Sequence, residues 1–203
     1  MDNSEKLFQA GMSCIQSNPD EAARLFGEAV KDNHLPAMFY LAQLNYKKDG
    51  LFSGAKIETA VKLFTTLAKE HGEPQAKFEL GAMLCYGKRV EWNPEEGSKW
   101  INEFEDDIRG IDNVPFYFYS TLGDLYCKGR LRRSDDPINN VTVEDLKKAI
   151  EYLEKAIQVA DDSSDPACLS ETIAKLALQK ERLQLEQNAI EDEERLKRWA
   201  SGR

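Results

Sequence analysis

The stretch "ELGAMLCYGKRVEWNPEEGSKW", residues 79–100, holds the shape from which the rest of the chain can be read. It opens with a helix-like run, breaks at Gly87 and restarts at Asn93-Pro94. Glycine suits the break, because helices commonly close on a residue in the left-handed region, where a side chain is a steric burden. Asn-Pro-Glu suits the restart: Asn caps free N–H groups, proline has the φ of a first turn, and an acid meets the positive end of the helix dipole. The same signal stands at Asn18-Pro19-Asp20, and Pro36, Pro74 and Pro115 mark further helix starts.

Both halves of the shape recur. The second half places a small residue three and four positions before a bulky pair. Its copies are Ala22 with Leu25 and Phe26, Ala60 with Leu63 and Phe64, Gly97 with Trp100 and Ile101, and Ala149 with Tyr152 and Leu153. The small residues are separated by 38, 37 and 52 positions. The first half recurs over 37–50, 76–87 and 118–129, each with an apolar residue four before a Leu-Ala or Leu-Gly pair and a closing Gly. Helices are therefore predicted over 4–16, 19–32, 36–48, 56–71, 74–86, 94–109, 115–128 and 143–161, with a last one from Pro166 towards Trp199. Sustained apolar-polar alternation is missing, so nothing reads as a strand.

The small residues let two helix backbones approach, and the bulky pair fills the neighbouring groove. One hairpin cannot bury its own apolar stripe, so hairpins must stack. The expectation is an all-α chain: a right-handed α-solenoid of about four helix-turn-helix repeats over 1–162, then a C-terminal capping helix and charged tail over 163–203.

The set A-x-x-x-L-G-x-x-Y-x-x-G, a variable loop and K-A-x-x-Y/W-x-x-x-A resembles the Sel-one-like repeat, a relative of the tetratricopeptide repeat. Residues 35–162 carry the resemblance, best at Ala76, Leu80, Gly81 and Gly87 and at Leu122, Gly123, Tyr126, Gly129, Lys148, Ala149, Tyr152 and Ala156. Residues 4–34 are closer to a plain tetratricopeptide hairpin. Ala42 stands for the usual Gly, Leu84 for the usual Tyr and Gly97 for the usual Ala. The resemblance implies first helices lining a concave groove and a role as adaptor or scaffold without catalysis. Under tetratricopeptide geometry the groove would be lined by Phe8, Met12 and Ile15; by Phe39, Gln43, Tyr46 and Lys47; by Phe78, Ala82, Cys85 and Tyr86; and by Ser120, Asp124, Cys127 and Lys128. Phe8, Phe39 and Phe78 would form an aromatic ladder there, although an aromatic at helical spacing is core more often than interface.

Composition narrows the partner. With 27 Lys+Arg against 36 Asp+Glu the net charge is −9, which disfavours phosphate-backbone binding and suits a protein with a basic or neutral segment. No run of about 18 apolar residues occurs, so membrane insertion is not expected. The N-terminus lacks the pattern of a secretory signal or presequence, giving an expectation of the cytoplasm, with the nucleus open. Cys14, Cys85, Cys127 and Cys168 are widely spaced and read as buried or free thiols. His34 and His71 sit at hairpin junctions away from any nucleophile or metal-ligand pattern, and there is no Gly-rich phosphate loop, so neither catalytic residue, metal nor cofactor is expected.

Two further segments stand out. Leu169, Leu176, Leu183 and Ile190 are one heptad apart, with Lys180 and Gln187 where a second stripe would need apolar residues. Ile173, Leu176 and Leu178 would cap the last hairpin. Leu196 and Trp199, amid Arg195, Lys197 and Arg198, form either a docking element or a solvated tail. The loop that lengthens one spacing carries Arg130, Arg132 and Arg133 ahead of Ser134, a candidate phosphosite for a basophilic kinase. The function expected is a non-enzymatic adaptor holding a partner peptide or helix in the groove. The alternative is a structural subunit of a larger complex, docked through its outer surface and C-terminal helix.

Overall fold

The computed structural model describes residues 2–47, 54–111, 114–131, 141–161 and 165–201. Those residues form the helices α1 (Asn3–Cys14), α2 (Pro19–Val30), α3 (Leu35–Lys47), α4 (Gly54–Glu70), α5 (Pro74–Tyr86), α6 (Pro94–Asp107), α7 (Phe116–Cys127), α8 (Val143–Val159) and α9 (Pro166–Ser201). No strand occurs among the described residues. By internal packing the chain divides into Met1–Asp107 and Ile108–Arg203. The boundary expected at 162/163 falls inside the second unit, between α8 and α9.

Local chemistry sets the helix ends. Asn18 and Asn93 cap α2 and α6 by accepting from the backbone N–H of Glu21 and Glu96, each at 3.2 Å. Thr142 and Asp145 cap α8 reciprocally, side chain to backbone in both directions. Gly87 closes α5 at φ 61, its N–H donating to the Met83 carbonyl. A side chain there would also collide, since a Cβ would lie 2.7 Å from Cβ of Trp92.

In the first unit, α1 packs on α2, α3 on α4 and α5 on α6, while α2 meets α3 and α4 meets α5. Each small residue of the repeat lies at a hairpin crossing. Ala22 and Ala60 are fully buried, and Gly97 is buried against α5. A Cβ on Gly97 would lie 2.6 Å from Cys85 Sγ and 2.9 Å from the Gly81 carbonyl oxygen; one on Gly81 would lie 2.9 Å from Ile101 Cγ1. Here the backbones of α5 and α6 touch, which is why Gly replaces the usual Ala at position 97. The core continues through Met38, Phe64, Leu67, Leu80, Met83 and Trp100, four helices sharing one apolar cluster. Wholly buried side chains such as Phe64 and Leu67 each contribute about 1.5–3 kcal/mol.

In the second unit, α7 and α8 cross at Gly123 and Ala149, where an added Cβ on Gly123 would lie 2.7 Å from Leu153 Cδ2. Leu122, Leu125, Leu146 and Leu153 fill the space between them. The long α9 packs on α8, burying Thr172 and Gln179 and half-burying Leu169, Leu176 and Leu183. Thr172 returns its hydroxyl to the Cys168 carbonyl at 2.8 Å, whereas Gln179 Oε1 is buried without a hydrogen bond.

Candidate functional site

The groove positions expected from tetratricopeptide geometry separate into three groups. The first is core. Phe78 is fully buried, its ring 4.8 Å from that of Phe104, and Ala82 and Cys85 are buried beside it. An aromatic ladder open to solvent therefore does not extend to Phe78: the second helix of its own hairpin covers it. Phe8 and Phe39 are half-buried. Phe8 lies against Phe26, His34 and Tyr40 at 5.8, 5.0 and 5.8 Å, and Phe39 meets Phe64 edge-on at 5.7 Å. These rings hold α1 to α2 and α3 to α4.

The second group joins neighbouring first helices. Gln43 donates to Glu79 Oε1 at 3.0 Å, tying α3 to α5. Tyr46 donates its hydroxyl to the Lys88 carbonyl at 3.3 Å, and the Arg89 guanidinium donates to the Tyr46 carbonyl at 2.9 Å. Burial, with the Glu79 carboxylate beside it, raises the Tyr46 phenol above its ordinary value. Together with half-buried Met12, Ile15 and Tyr86, these residues make a surface of mixed polar and apolar character. The side chain of Lys47 lies outside the described residues, as does Ser134.

The third group lies in the second unit, where α9 reaches it. Asp124 is buried, pairing with Lys128 at 2.7 Å and with Lys175 of α9 at 2.8 Å. Asp124 is thus the anchor of α9 on α7, a role the sequence spacing did not disclose. Ser120 and Cys127 are partly buried on the same helix. Tyr119, Tyr126 and Tyr152 stack, with centroids 6.1 and 5.8 Å apart. The Lys148 ammonium lies over the Tyr126 ring at 5.0 Å and that of Lys155 over Tyr152 at 5.3 Å.

The titratable groups are arranged for packing. Burial pushes the Cys85 thiol up to about 12, and burial together with Asp124 pushes Cys127 up to about 11, so both stay protonated at neutral pH. His34 faces Glu5 at 3.0 Å and accepts the Ala37 N–H, a brace at the α2–α3 junction. A group of His, Cys, Asp and Glu able to hold a metal ion is not present among the described residues. Nor is any helix there long and apolar enough to cross a membrane.

Exposed apolar surface concentrates elsewhere. Of the eight large apolar side chains exposed among the described residues, six lie on α9: Ile173, Leu178, Leu185, Ile190, Leu196 and Trp199. Leu196 and Trp199, picked out by the sequence, are 64% and 61% exposed.

Comparison with solved structures places this geometry. A protective antigen of uropathogenic Escherichia coli strains displaying an SLR fold superposes with a TM-score of 0.62 and 19% identity, covering 90% of this chain. The fold is that of the Sel1-like repeat proteins. The chain spans 36% of the length of that antigen. A Sel1 repeat protein from Oxalobacter formigenes matches with a TM-score of 0.51 and 18% identity, over 87% of this chain and 74% of the other. Neither a protein-family model nor a curated protein matches the sequence. The Sel1-like repeat fold accounts for the paired helices and the small residues at their crossings.

Proposed function

We propose that this chain is a non-enzymatic scaffold for protein–protein interaction, acting in the cytoplasm or nucleus. The observation that carries the reading is the use to which its side chains are put. Its buried acids, thiols and aromatics hold one helix to the next, and what remains is extended surface built from helix hairpins. On the first-helix face, Met12, Gln43, Tyr46 and Tyr86 would receive a partner peptide or helix, with Phe8 and Phe39 supporting them from beneath. Lys128 would contribute a charge at the corresponding place in the second unit. The net charge of −9 favours a partner segment that is basic or neutral. A second reading, an assembly subunit docked through its last helix, is favoured by the six exposed apolar side chains on α9.

Affinity capture of the tagged chain from its own cells, followed by mass spectrometry, tests the scaffold reading. A Met12→Ala/Tyr46→Ala variant truncates two half-buried side chains of the first-helix face and leaves the fully buried Phe78 in place. Loss of a specific partner by that folded variant supports docking on the first-helix face. A partner kept by it but lost on removing residues 184–203 transfers the function to α9. Capture of no specific protein in either form would sink the scaffold reading.

A further inference from the structure

The last helix carries two apolar stripes, and among the described residues only one has a neighbour within its unit. Leu169, Thr172, Leu176, Gln179 and Leu183 face α8. Ala174, Leu178, Leu185, Ala189, Leu196 and Ala200 follow one another at spacings of 4, 7, 4, 7 and 4, and all six are exposed. At about 100° per residue these six fall within a sector of about 80°, on the side away from the seam, which they share with Arg182 between Leu178 and Leu185 and with Asp192 between Ala189 and Leu196. Leu178 is 59% exposed, Leu185 63% and Leu196 64%. The stripe is about 39 Å long at 1.5 Å per residue. From Gln184 to Ser201 every described residue except Gln187 is exposed, so this half of α9 draws little support from the rest of its unit.

We infer that the stripe is the interface with a second copy of this chain, the two α9 helices pairing antiparallel about a two-fold axis level with residue 187. The apolar positions are symmetric about that point. Ala174 and Ala200 are equidistant from it, as are Leu178 and Leu196, and Leu185 and Ala189. Antiparallel pairing sets Leu178 against Leu196 of the second copy and each Leu185 against the small Ala189, large into small. A self-complementary surface is the requirement of an isologous interface, and a different partner would impose no such symmetry.

The charges flanking the stripe agree with this register. Arg182 and Glu193 lie on one edge and, within a residue of the register, come opposite each other across the axis; Glu181 and Arg195 do the same on the other edge, within two residues. Glu193 and Arg195 are exposed, with 67% and 76% of their side-chain surface open; each pairs along its own helix, with Lys197 at 2.7 Å and Asp192 at 2.6 Å, so pairing across the axis would exchange these exposed partners. A lipid surface fits poorly, because Glu191, Asp192, Glu193 and Glu194 form a run of four acids that enters the stripe at Asp192. The inference is independent of what the first-helix face binds, and it is tested on the purified chain alone.

The experiment is sedimentation velocity on the full chain from about 1 to about 200 µM, where association must depend on concentration. Wild type should sediment as a dimer at the upper end. Leu185→Glu/Leu196→Glu should be monomeric, with at least about a hundredfold weaker association, because it removes central apolar contacts. Both positions are exposed in the single chain, so circular dichroism and thermal midpoint measured at low concentration should match wild type. Leu196→Gln alone, milder, should weaken association by an intermediate amount. Arg182→Glu should weaken the dimer by placing acid opposite Glu193, and Arg182→Glu/Glu193→Arg should restore it. A wild-type chain monomeric throughout, or a dimer untouched by the leucine substitutions, overturns the proposal. Failure of the charge exchange to restore association overturns the antiparallel register.

Discussion

The crossing of α5 over α6 gives a test in which one chemical change must act with opposite signs at two positions. A Cβ on Gly97 would lie 2.6 Å from Cys85 Sγ, 2.9 Å from the Cys85 backbone nitrogen and 2.9 Å from the Gly81 carbonyl oxygen. Two of those atoms are backbone, so no rotamer change relieves the contact and the helices must part. Overpacking of this kind costs about 1–3 kcal/mol, and a backbone clash belongs in the upper half of that range. Against it, alanine gains up to about 1 kcal/mol over glycine in a helix. Gly97→Ala should therefore destabilise by about 1–2 kcal/mol. Gly27 of α2 has nothing within 4 Å of its added Cβ. There the same substitution keeps only the helix gain, about 0.4–1 kcal/mol of stabilisation.

At roughly 2–4 °C per kcal/mol for a chain of this size, thermal midpoints should fall by roughly 2–8 °C for Gly97→Ala and rise by roughly 1–4 °C for Gly27→Ala. Circular dichroism melts, with urea midpoints as a second probe, read both. A Gly97→Ala variant as stable as wild type would refute backbone contact at this crossing, and with it the register that pairs position 81 with position 97.

The remaining predictions bear on other crossings and on α9. Ala60 is fully buried in α4, so Ala60→Leu should cost about 1–3 kcal/mol by overpacking, read as a lowered urea midpoint; an unchanged midpoint contradicts its place at the hairpin crossing. Lys175→Met removes the tether to Asp124 and should speed amide exchange in the first half of α9 while leaving its second half unchanged. Burial disfavours the Lys175 charge, but the pairs with Asp124 and Glu171 prevail and raise its pKa. The folded value then exceeds the unfolded one, so this stabilisation is complete below the usual lysine range and is lost as pH rises through the folded value. Wild type should lose α9 protection in that alkaline window, and Lys175→Met should not. Gln179→Leu replaces a buried acceptor lacking a hydrogen bond and should stabilise by about 1 kcal/mol; a fall in thermal midpoint would mean that the amide is satisfied in solution.

Helix placement was legible because its determinants are local. Pro74 with Gly87 and Asn93 with Pro94 mark helix bounds through backbone chemistry that needs no tertiary partner, and α5 runs from Pro74 to Tyr86 as its sequence predicts. Some ends moved: α2 stops at Val30, two residues short of the predicted end at 32, and the chain then turns, reaching φ 56 at Asn33. The face each residue presents was legible from spacing, but what covers that face was not. Phe78 and Asp124 both occupy groove positions under tetratricopeptide geometry, yet one is covered by Phe104 and the other by Lys175. Both covers come from other helices, and periodicity within a single helix carries no information about them. The seam of α9 shows the same limit. A second stripe four residues on from the heptad leucines points to Lys180 and Gln187, whereas packing selects the position three residues on, at Thr172 and Gln179. Both spacings share one helix face, and only the neighbouring α8 distinguishes them.

What a stack of hairpins exposes depends on how many neighbours each helix has. In the first unit α3 lies between α2 and α4, and α4 between α3 and α5, so their apolar residues are spent in two directions. In the second unit α9 has α8 along its seam and the Lys175–Asp124 ion pair to α7. A helix that merely closed such a stack would turn a polar face outward, since an apolar one invites association. On α9 the outward face instead repeats Leu178, Leu185 and Leu196 among alanines, while Thr172 and Gln179 occupy the buried seam. Leucines lie on both faces of α9, with Leu169, Leu176 and Leu183 half-buried towards α8 and Leu178, Leu185 and Leu196 turned outward, which is more apolar surface than a lone closing helix would carry. That outward apolar face becomes favourable once it is itself an interface, and the symmetry of the face about residue 187 specifies a second copy as what covers it.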